Sequence, residues 1–295
     1  MNDEPVPLSQ CKTMKLEDFH TMPVNRYLME PKIDGWRLQV EADPQGVTCW
    51  TRTGKLATGK LPMVERDLHD LAKKIGAFRI DGEVVYLDHL GNPDFNWTSR
   101  CMGSGTDVCV DKQEAEEKFL SLVAFDILHK SGIDCRAFPM EERREQLEII
   151  LSTVSPWVPV IAVNIPSIDV HLTNIEKYGE GSVLKDITAP YAGKRHKSWL
   201  KWKKEETIDV RITGCTVGQG KYASLIGAVT FIAPDGTAGK CSGMDDDTRV
   251  YISDHRDTLI GRHMEIKHYG KLVDGYRHPQ FMRFRPDKDA IVPGA

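Results

Sequence analysis

The chain of 295 residues contains no apolar run near the ~18 residues needed to span a bilayer, so no membrane partner is expected. Its first residues, Met1-Asn2-Asp3-Glu4-Pro5, lack the basic-then-apolar order of a secretory leader. Its seven cysteines are odd in number and include no Cys-x-x-Cys pair, which excludes a simple disulfide framework and a zinc ribbon. A reducing, cytoplasmic setting fits that usage best. The ten histidines include no His-Glu-x-x-His, and no repeat or low-complexity tract is present. An excess of basic charge is also missing. Lys and Arg total 39 against 43 Asp and Glu, a formal net charge of −4, and taken alone this argues against a nucleic-acid partner.

What is present is enough chain for about two domains. The charged stretch Lys203-Lys204-Glu205-Glu206-Thr207 separates two apolar-patterned regions and marks a boundary, with domains at residues 1–204 and 205–295. In the first region Val64, Leu68, Leu71, Ala72 and Ile75 recur at helical spacing before Gly76, and Pro139 opens a second helix with Leu147, Ile150, Leu151 and Val154 on one stripe. Short apolar segments at Leu38–Val40, Val47–Trp50, Ile80–Tyr86, Leu120–Leu128 and Ser182–Lys185 read as strands. The second region reads as strands at Val210–Val217, Leu225–Ile232, His263–Tyr269 and Phe281–Phe284, with a helix near Asp246–Ile252. An α+β domain followed by a small β-barrel of the OB type is the expected fold.

The chemistry concentrates around Glu30-Pro31-Lys32-Ile33-Asp34-Gly35-Trp36-Arg37. A lysine acts as a nucleophile only when deprotonated, against an ordinary pKa near ~10.4. Desolvation and neighbouring cations lower that value. Taken singly, such a cluster reads as surface ion pairing. It is followed, however, by Ile80-Asp81-Gly82-Glu83, by Phe125-Asp126, by Glu180-Gly181-Ser182-Val183-Leu184-Lys185 and by Ser198-Trp199-Leu200-Lys201-Trp202-Lys203. On a strand, period-two alternation sends Lys201 and Lys203 to one face and Leu200 and Trp202 to the other.

In this order the segments resemble the motifs of ATP-dependent DNA ligases, within the covalent nucleotidyltransferases. Lys32-x-Asp34-Gly35-x-Arg37 matches the family's K-x-D-G-x-R, and Thr51-Arg52-Thr53-Gly54 looks like the arginine motif after it. Arg277-His278-Pro279-x-Phe281 leads into Arg285-Pro286-Asp287-Lys288, which looks like the family's closing R-x-D-K. With 31 residues ahead of Lys32, the likeness is to the minimal two-domain, bacteriophage- or virus-like members, expected to be monomeric.

The resemblance implies the following roles. Lys32 attacks the α-phosphate of ATP and becomes lysyl-AMP. Phe125 stacks on adenine, Glu30 lies near the adenine edge, and Glu83 and Arg52 hold the ribose. Arg37 and Lys185 belong to the nucleotide-binding set. Lys201 and Lys203 contact the α-phosphate and lower the pKa of Lys32. Glu180, with Glu83 and Asp34, holds Mg²⁺ or Mn²⁺ directly or through water. Arg285, Asp287 and Lys288 orient the departing pyrophosphate when the OB domain closes on a hinge at Lys203–Thr207. AMP then passes to the 5′-phosphate at a nick in duplex DNA, and the 3′-hydroxyl attacks to seal it.

Other signals are weaker. Gly54-Lys55-Leu56-Ala57-Thr58-Gly59-Lys60-Leu61 nearly matches a P-loop, but Leu61 has no hydroxyl for Mg²⁺ and no helix is evident at Lys60. Asp245-Asp246-Asp247 reads as a helix start, and Cys101 and Cys109 as ordinary thiols. Gly91–Asp107 is a candidate DNA-contacting loop. Competing readings are an RNA ligase, a capping guanylyltransferase, and a non-catalytic OB clamp. The R-x-D-K ending favours DNA, and intact Lys32, Glu180, Lys201 and Lys203 disfavour a clamp. The charge objection also weakens locally: residues 180–204 hold seven basic against two acidic side chains, and residues 277–288 four against one.

Overall fold

The computed structural model describes residues 4–152, 155–204, 206–272 and 274–289; Met1–Asp3, Val154 and Glu205 of the expectations above lie outside these. Two compact units divide at Lys203 and Lys204.

In chain order the first unit has strands β1 (Gln10–Thr13), β2 (Tyr27–Pro31), β3 (Trp36–Asp43), β4 (Gly46–Thr51), β5 (Phe78–Leu87), β6 (Pro93–Asp94), β7 (Ser121–Lys130), β8 (Ile133–Asp134), β9 (Gly181–Asp186) and β10 (Arg195–Lys203). Its helices are α1 (Leu16–Thr21), α2 (Pro62–Ile75), α3 (Phe95–Met102), α4 (Thr106–Ala115), α5 (Met140–Leu151) and α6 (Ile168–Tyr178). One sheet runs β4-β3-β5-β7-β8, with β6 on β5; the other runs β1-β10-β9-β2.

Alternation along the first sheet decides which groups reach the site. Leu38 and Val40 of β3, Ile80 and Val84 of β5, and Leu122 and Ala124 of β7 are buried in one apolar cluster. Leu61, Val64, Leu68 and Ala72, Trp97 and Cys101, and Leu147 and Ile150 cover that face. Full burial of side chains this size is worth roughly 1.5–3 kcal/mol each, so the register is strongly fixed. The intervening residues, Arg37, Gln39 and Glu41 of β3 and Arg79, Asp81 and Glu83 of β5, are sent to the opposite face. In the second sheet the same rule puts Trp202 with Met14, Phe19, Met29 and Leu184, and Leu200 against them.

The second unit is an antiparallel sheet built from β11 (Glu206–Val217), β12 (Ile226–Ile232), β13 (Ala238–Cys241) and β14 (His263–His268), with a small hairpin β15 (Lys271–Leu272) and β16 (Gly275–Tyr276) and the edge strand β17 (Gln280–Phe284). The sheet order is β13-β12-β11-β14-β17. Helix α7 (Asp246–Leu259) starts on Asp245, whose side chain accepts from the Thr248 amide, as the acidic run suggests. Helix α8 (Pro286–Asp289) follows β17.

Two expectations fail. Gly91–Asp107 is not a loop: α3 occupies Phe95–Met102, capped by Asp94 through the Trp97 amide, and α4 begins at Thr106. Trp97, Thr98, Cys101 and Met102 are buried, so Trp97 serves the core, while Phe95 is half-buried and Arg100 exposed. A helix does open after the P-loop-like segment, at Pro62, where proline suits the first helical turn. Lys60 there donates to the carbonyls of Met102 and Ser104, at 2.8 and 2.6 Å, and is spent on loop closure.

Candidate active site

Three strands of the smaller sheet bring distant segments to one edge. β9 lies between β2 and β10, pairing Pro31 with Ser182 and Gly181 with Lys203. The Lys32 amide donates to the Gly181 carbonyl at 2.9 Å as the chain leaves β2. Gly181 has φ +127°, and a Cβ there would collide with the Trp202 carbonyl, so only glycine lets the strands meet this closely. Gly35 serves the crossing to the larger sheet: a Cβ there would collide with the Val84 carbonyl.

At this edge Glu180 is shared by two lysines. Its Oε2 lies 2.6 Å from Lys32 Nζ and its Oε1 2.7 Å from Lys203 Nζ. The consequence reverses one expectation. Burial pulls the Lys32 pKa down, but the Glu180 carboxylate, with Glu83 beyond it, outweighs burial and the net shift is upward. Lys201 and Lys203 therefore do not make Lys32 a free amine; the paired carboxylate keeps it an ammonium. Lys201 itself is lowered by burial and by Lys203. Burial would raise Glu180, but Lys32 and Lys203 bring it below the ordinary carboxylate value. Glu83, half-buried on β5, is pushed up to about 7 by burial, despite Lys32 and Arg37.

A bulge in β7 puts Phe125 and Asp126 together on the charged face. Asp81 pairs with Asp126 and Gly82 with Ala124, leaving Phe125 as the extra residue on β7. Its ring meets Trp199 edge-on at 6.1 Å, and Lys185 Nζ lies 4.5 Å from its centroid. Lys185 is buried, 2.8 Å from Glu30 Oε2 and 3.1 Å from the Phe125 carbonyl. Burial raises Glu30 even beside this lysine, and its Oε1 is buried with no hydrogen-bond partner.

Arg37 is committed to the protein: Nε and Nη2 donate to Asp81 at 3.0 and 2.6 Å, and Nη1 donates to the Ser9 carbonyl at 2.6 Å. Tyr191 donates to the same Asp81 at 2.6 Å. Each guanidinium nitrogen is thus engaged, and Arg37 holds the two sheets' elements in place beside Phe125. Below it, Arg143 and Asp126 form a fully buried bidentate pair at 2.7 and 3.0 Å. Arg143, Tyr191 and Trp199 were not singled out in the sequence. The Arg-Arg pair at 143 and 144, two charges on an otherwise apolar helix stripe, was the available signal.

Asp34 is half-buried in the loop after Lys32, and Arg52 is exposed with its Nη2 on Gln10 at 3.2 Å. In the second unit Arg285 donates to Asp209 at 2.7 Å and to Asp287 at 2.8 Å, and Asp287 falls to about 2 through that contact. Among the described residues no group of three or more His, Cys, Asp or Glu has the geometry of a metal cage. The acidic oxygens at the Lys32 edge belong to Glu180 and Glu83, a sparse donor set of the kind a hydrated Mg²⁺ uses.

Residues 8–203 match the family model for the ATP dependent DNA ligase domain. A DNA ligase of Halobacterium salinarum is 29% identical over 95% of this chain and 55% of its own length. The chain thus spans about half the length of the curated relatives it matches. A structure of a Lig E DNA ligase superposes with TM-score 0.70 at 19% identity, covering 94% of this chain and 98% of that one. Mycobacterial DNA ligase D, solved with ATP and MES, gives 0.56 at 21% identity, covering 98% of both chains. These likenesses carry the fold, a mixed α+β adenylation domain followed by an antiparallel β domain of OB type. No helix among the described residues is long and apolar enough to cross a membrane.

Proposed function

The chain belongs to the ATP-dependent DNA ligase family, and from that premise we propose that it seals 5′-phosphate/3′-hydroxyl nicks in duplex DNA through lysyl-AMP and a DNA-adenylate. The observation that carries this reading is the Lys32–Glu180–Lys203 cluster beside the Phe125 and Glu30 pocket. A nucleophile, cations for a phosphate and a base-binding surface meet there.

Glu30 Oε1, a buried acceptor without a partner, fits the exocyclic amine of adenine. Phe125 supplies a flat face of low conformational cost. Lys32 gives up its proton and forms a P–N bond to the α-phosphorus as the bond to pyrophosphate breaks. Lys201 and Lys203 neutralise charge on the phosphoryl oxygens. Glu180, with Glu83 and Asp34, would hold Mg²⁺ or Mn²⁺ beside water ligands; bound there, the cation supplies charge neutralisation at the phosphates. Arg52 and Glu83 are assigned to the ribose, and Arg285, Asp287 and Lys288 to the pyrophosphate. Arg37 acts by fixing Asp81 and the Phe125 neighbourhood. The adenylation domain is residues 1–204 and the OB domain 205–295, joined at a hinge in Lys203–Thr207.

Incubation with α-labelled ATP and Mg²⁺ tests the first step: wild type takes up label covalently and Lys32→Ala does not. Absence of label on wild type overturns the reading. A nick-sealing gel with ATP, NAD and GTP side by side then separates a DNA ligase using ATP from a capping-type transferase, and RNA ends test the RNA alternative.

A further inference from the structure

Helix α6 and strand β9 are joined by two residues, Gly179 and Glu180, so the carboxylate shared by Lys32 and Lys203 sits in the link between them. Gly179 ends the helix in the left-handed conformation, at φ +81°. Across this short link runs a buried polar cluster that no step of the proposed chemistry uses. Ser182 of β9 is fully buried, and His171 and Asn174 of α6 are buried against it. Asn174 Nδ2 donates to Ser182 Oγ at 3.0 Å, which leaves the Ser182 hydroxyl hydrogen for His171 Nδ1, also at 3.0 Å. Burial holds the His171 pKa down to about 4, so the ring is the neutral acceptor this arrangement needs. Its face stacks on Trp202, with centroids 3.8 Å apart and 9° between the planes.

Ser182 is in register with both neighbouring strands of the reactive edge. It pairs with Pro31, the residue before Lys32, and with Trp202, the residue before Lys203. Strict alternation along β9 would send Glu180 to the same side as Ser182. Glu180 instead meets both lysines, and the reversal falls at Gly181, whose φ is +127°. Its direction is therefore set by the two ends of the link, the last turn of α6 and the first paired residues of β9. A polar cluster beside the apolar packing of Trp202, Met29 and Leu184 adds little stability over an apolar one, but hydrogen bonds fix direction where apolar contact does not. We propose that His171, Asn174 and Ser182 are positioning residues: by tying α6 to β9 across the Gly179–Glu180 link they aim the Glu180 carboxylate at Lys32 and Lys203, and so govern the rate of lysyl-adduct formation rather than the affinity for ATP. This role presupposes that the chain is an ATP-using adenylyltransferase.

Single-turnover adduct formation on the full chain, followed by intact-protein mass over a range of ATP concentrations, separates the maximal rate from half-saturation. Ser182→Ala removes the hydroxyl that both α6 side chains hold. It should lower the maximal rate roughly tenfold or more and leave half-saturation within about twofold, because misplacing a reacting group by about 1 Å costs up to ~100-fold. Phe19→Leu is the control: Phe19 packs on Trp202 with centroids 4.9 Å apart, so the change loosens the same cluster and leaves the three polar groups in place. It should lower the midpoint of urea unfolding with the maximal rate unchanged. A wild-type maximal rate in Ser182→Ala overturns the proposal, and so does a half-saturation raised as many fold as the rate is lowered. A control that slows as much as the serine variant also overturns it, because the loss is then one of packing alone. Asn174→Ala, which removes only the donor to Ser182, takes the place of Ser182→Ala should that variant not fold, with the same outcomes. Wild type that forms no adduct with ATP refutes the underlying function instead.

Discussion

Glu83→Gln should stabilise the first unit in a pH-dependent way. The carboxyl titrates near 4.5 in the unfolded chain and about 7 in the folded one, because burial outweighs the attraction of Lys32 and Arg37. Between those values the folded protein holds a proton that the unfolded chain has released. The stability associated with Glu83 is therefore full below pH 4.5 and is lost as pH rises through 7. At about 1.4 kcal/mol per unit, the shift corresponds to about 3 kcal/mol. Glutamine, close in shape and never charged, removes the dependence. The difference in unfolding free energy, variant minus wild type, should thus grow by about 3 kcal/mol between pH 4 and pH 8 and be flat outside that window.

The measurement is made easy by the sequence: all six tryptophans lie in residues 36–202, so their fluorescence in urea reports the first unit. Titrating groups that do not sense Glu83 cancel in the difference between the two proteins. Unfolding curves whose separation does not change with pH would refute the assignment of the raised pKa to Glu83. So would a separation that shrinks as pH rises.

Gly181→Ala should cost about 3 kcal/mol or more in urea unfolding and sharply slow adenylation, since a side chain at φ +127° is strained and its Cβ meets the Trp202 carbonyl; an unchanged midpoint would contradict the close strand approach. Arg143→Met should lose about 3–5 kcal/mol by leaving Asp126 buried and unpaired, and adding Asp126→Asn should recover part of it; additive losses would show the pair is not coupled. Binding to nicked DNA should weaken steeply from low to moderate salt if the basic runs at 180–204 and 277–288 face phosphates, and a flat affinity by fluorescence anisotropy would exclude them.

Much of the fold was legible because apolar periodicity is strict where one face packs. Helix α2, strands β3, β5 and β7, and the alternation of Lys201 and Lys203 with Trp202 all follow from residues that must be buried or exposed in turn. Helix α3 was missed because its buried set, Trp97, Cys101 and Met102, sits among glycines and polar residues that read as loop. Helix α6 was missed for a related reason: its buried positions include His171 and Asn174, which bond to Ser182 rather than follow an apolar stripe. Motif order singled out the candidate site residues, of which the fold brings Lys32, Glu180 and Lys203 together. Their partners were not legible, because Tyr191, Arg143 and Ser9 approach from sequence positions that only the tertiary fold brings near.

The one electrostatic expectation that failed also says how the site is built. Counting cations near Lys32 predicts a depressed pKa, yet each buried cation here is matched: Lys185 by Glu30, Arg37 by Asp81, and Lys32 with Lys203 by a single Glu180. Pairing of this kind avoids the cost of burying unpaired charge. Glu180 is its pivot, since one carboxylate restrains two ammonium groups. While it is shared, Lys32 stays protonated and unreactive. In the proposed reaction, any engagement of Glu180 elsewhere removes the largest attraction that holds the Lys32 proton and leaves burial, Lys201 and Lys203 to push that pKa down. Activation of the nucleophile is then tied to Glu180, whose 2.6 Å contact with Lys32 is the restraint that must be released.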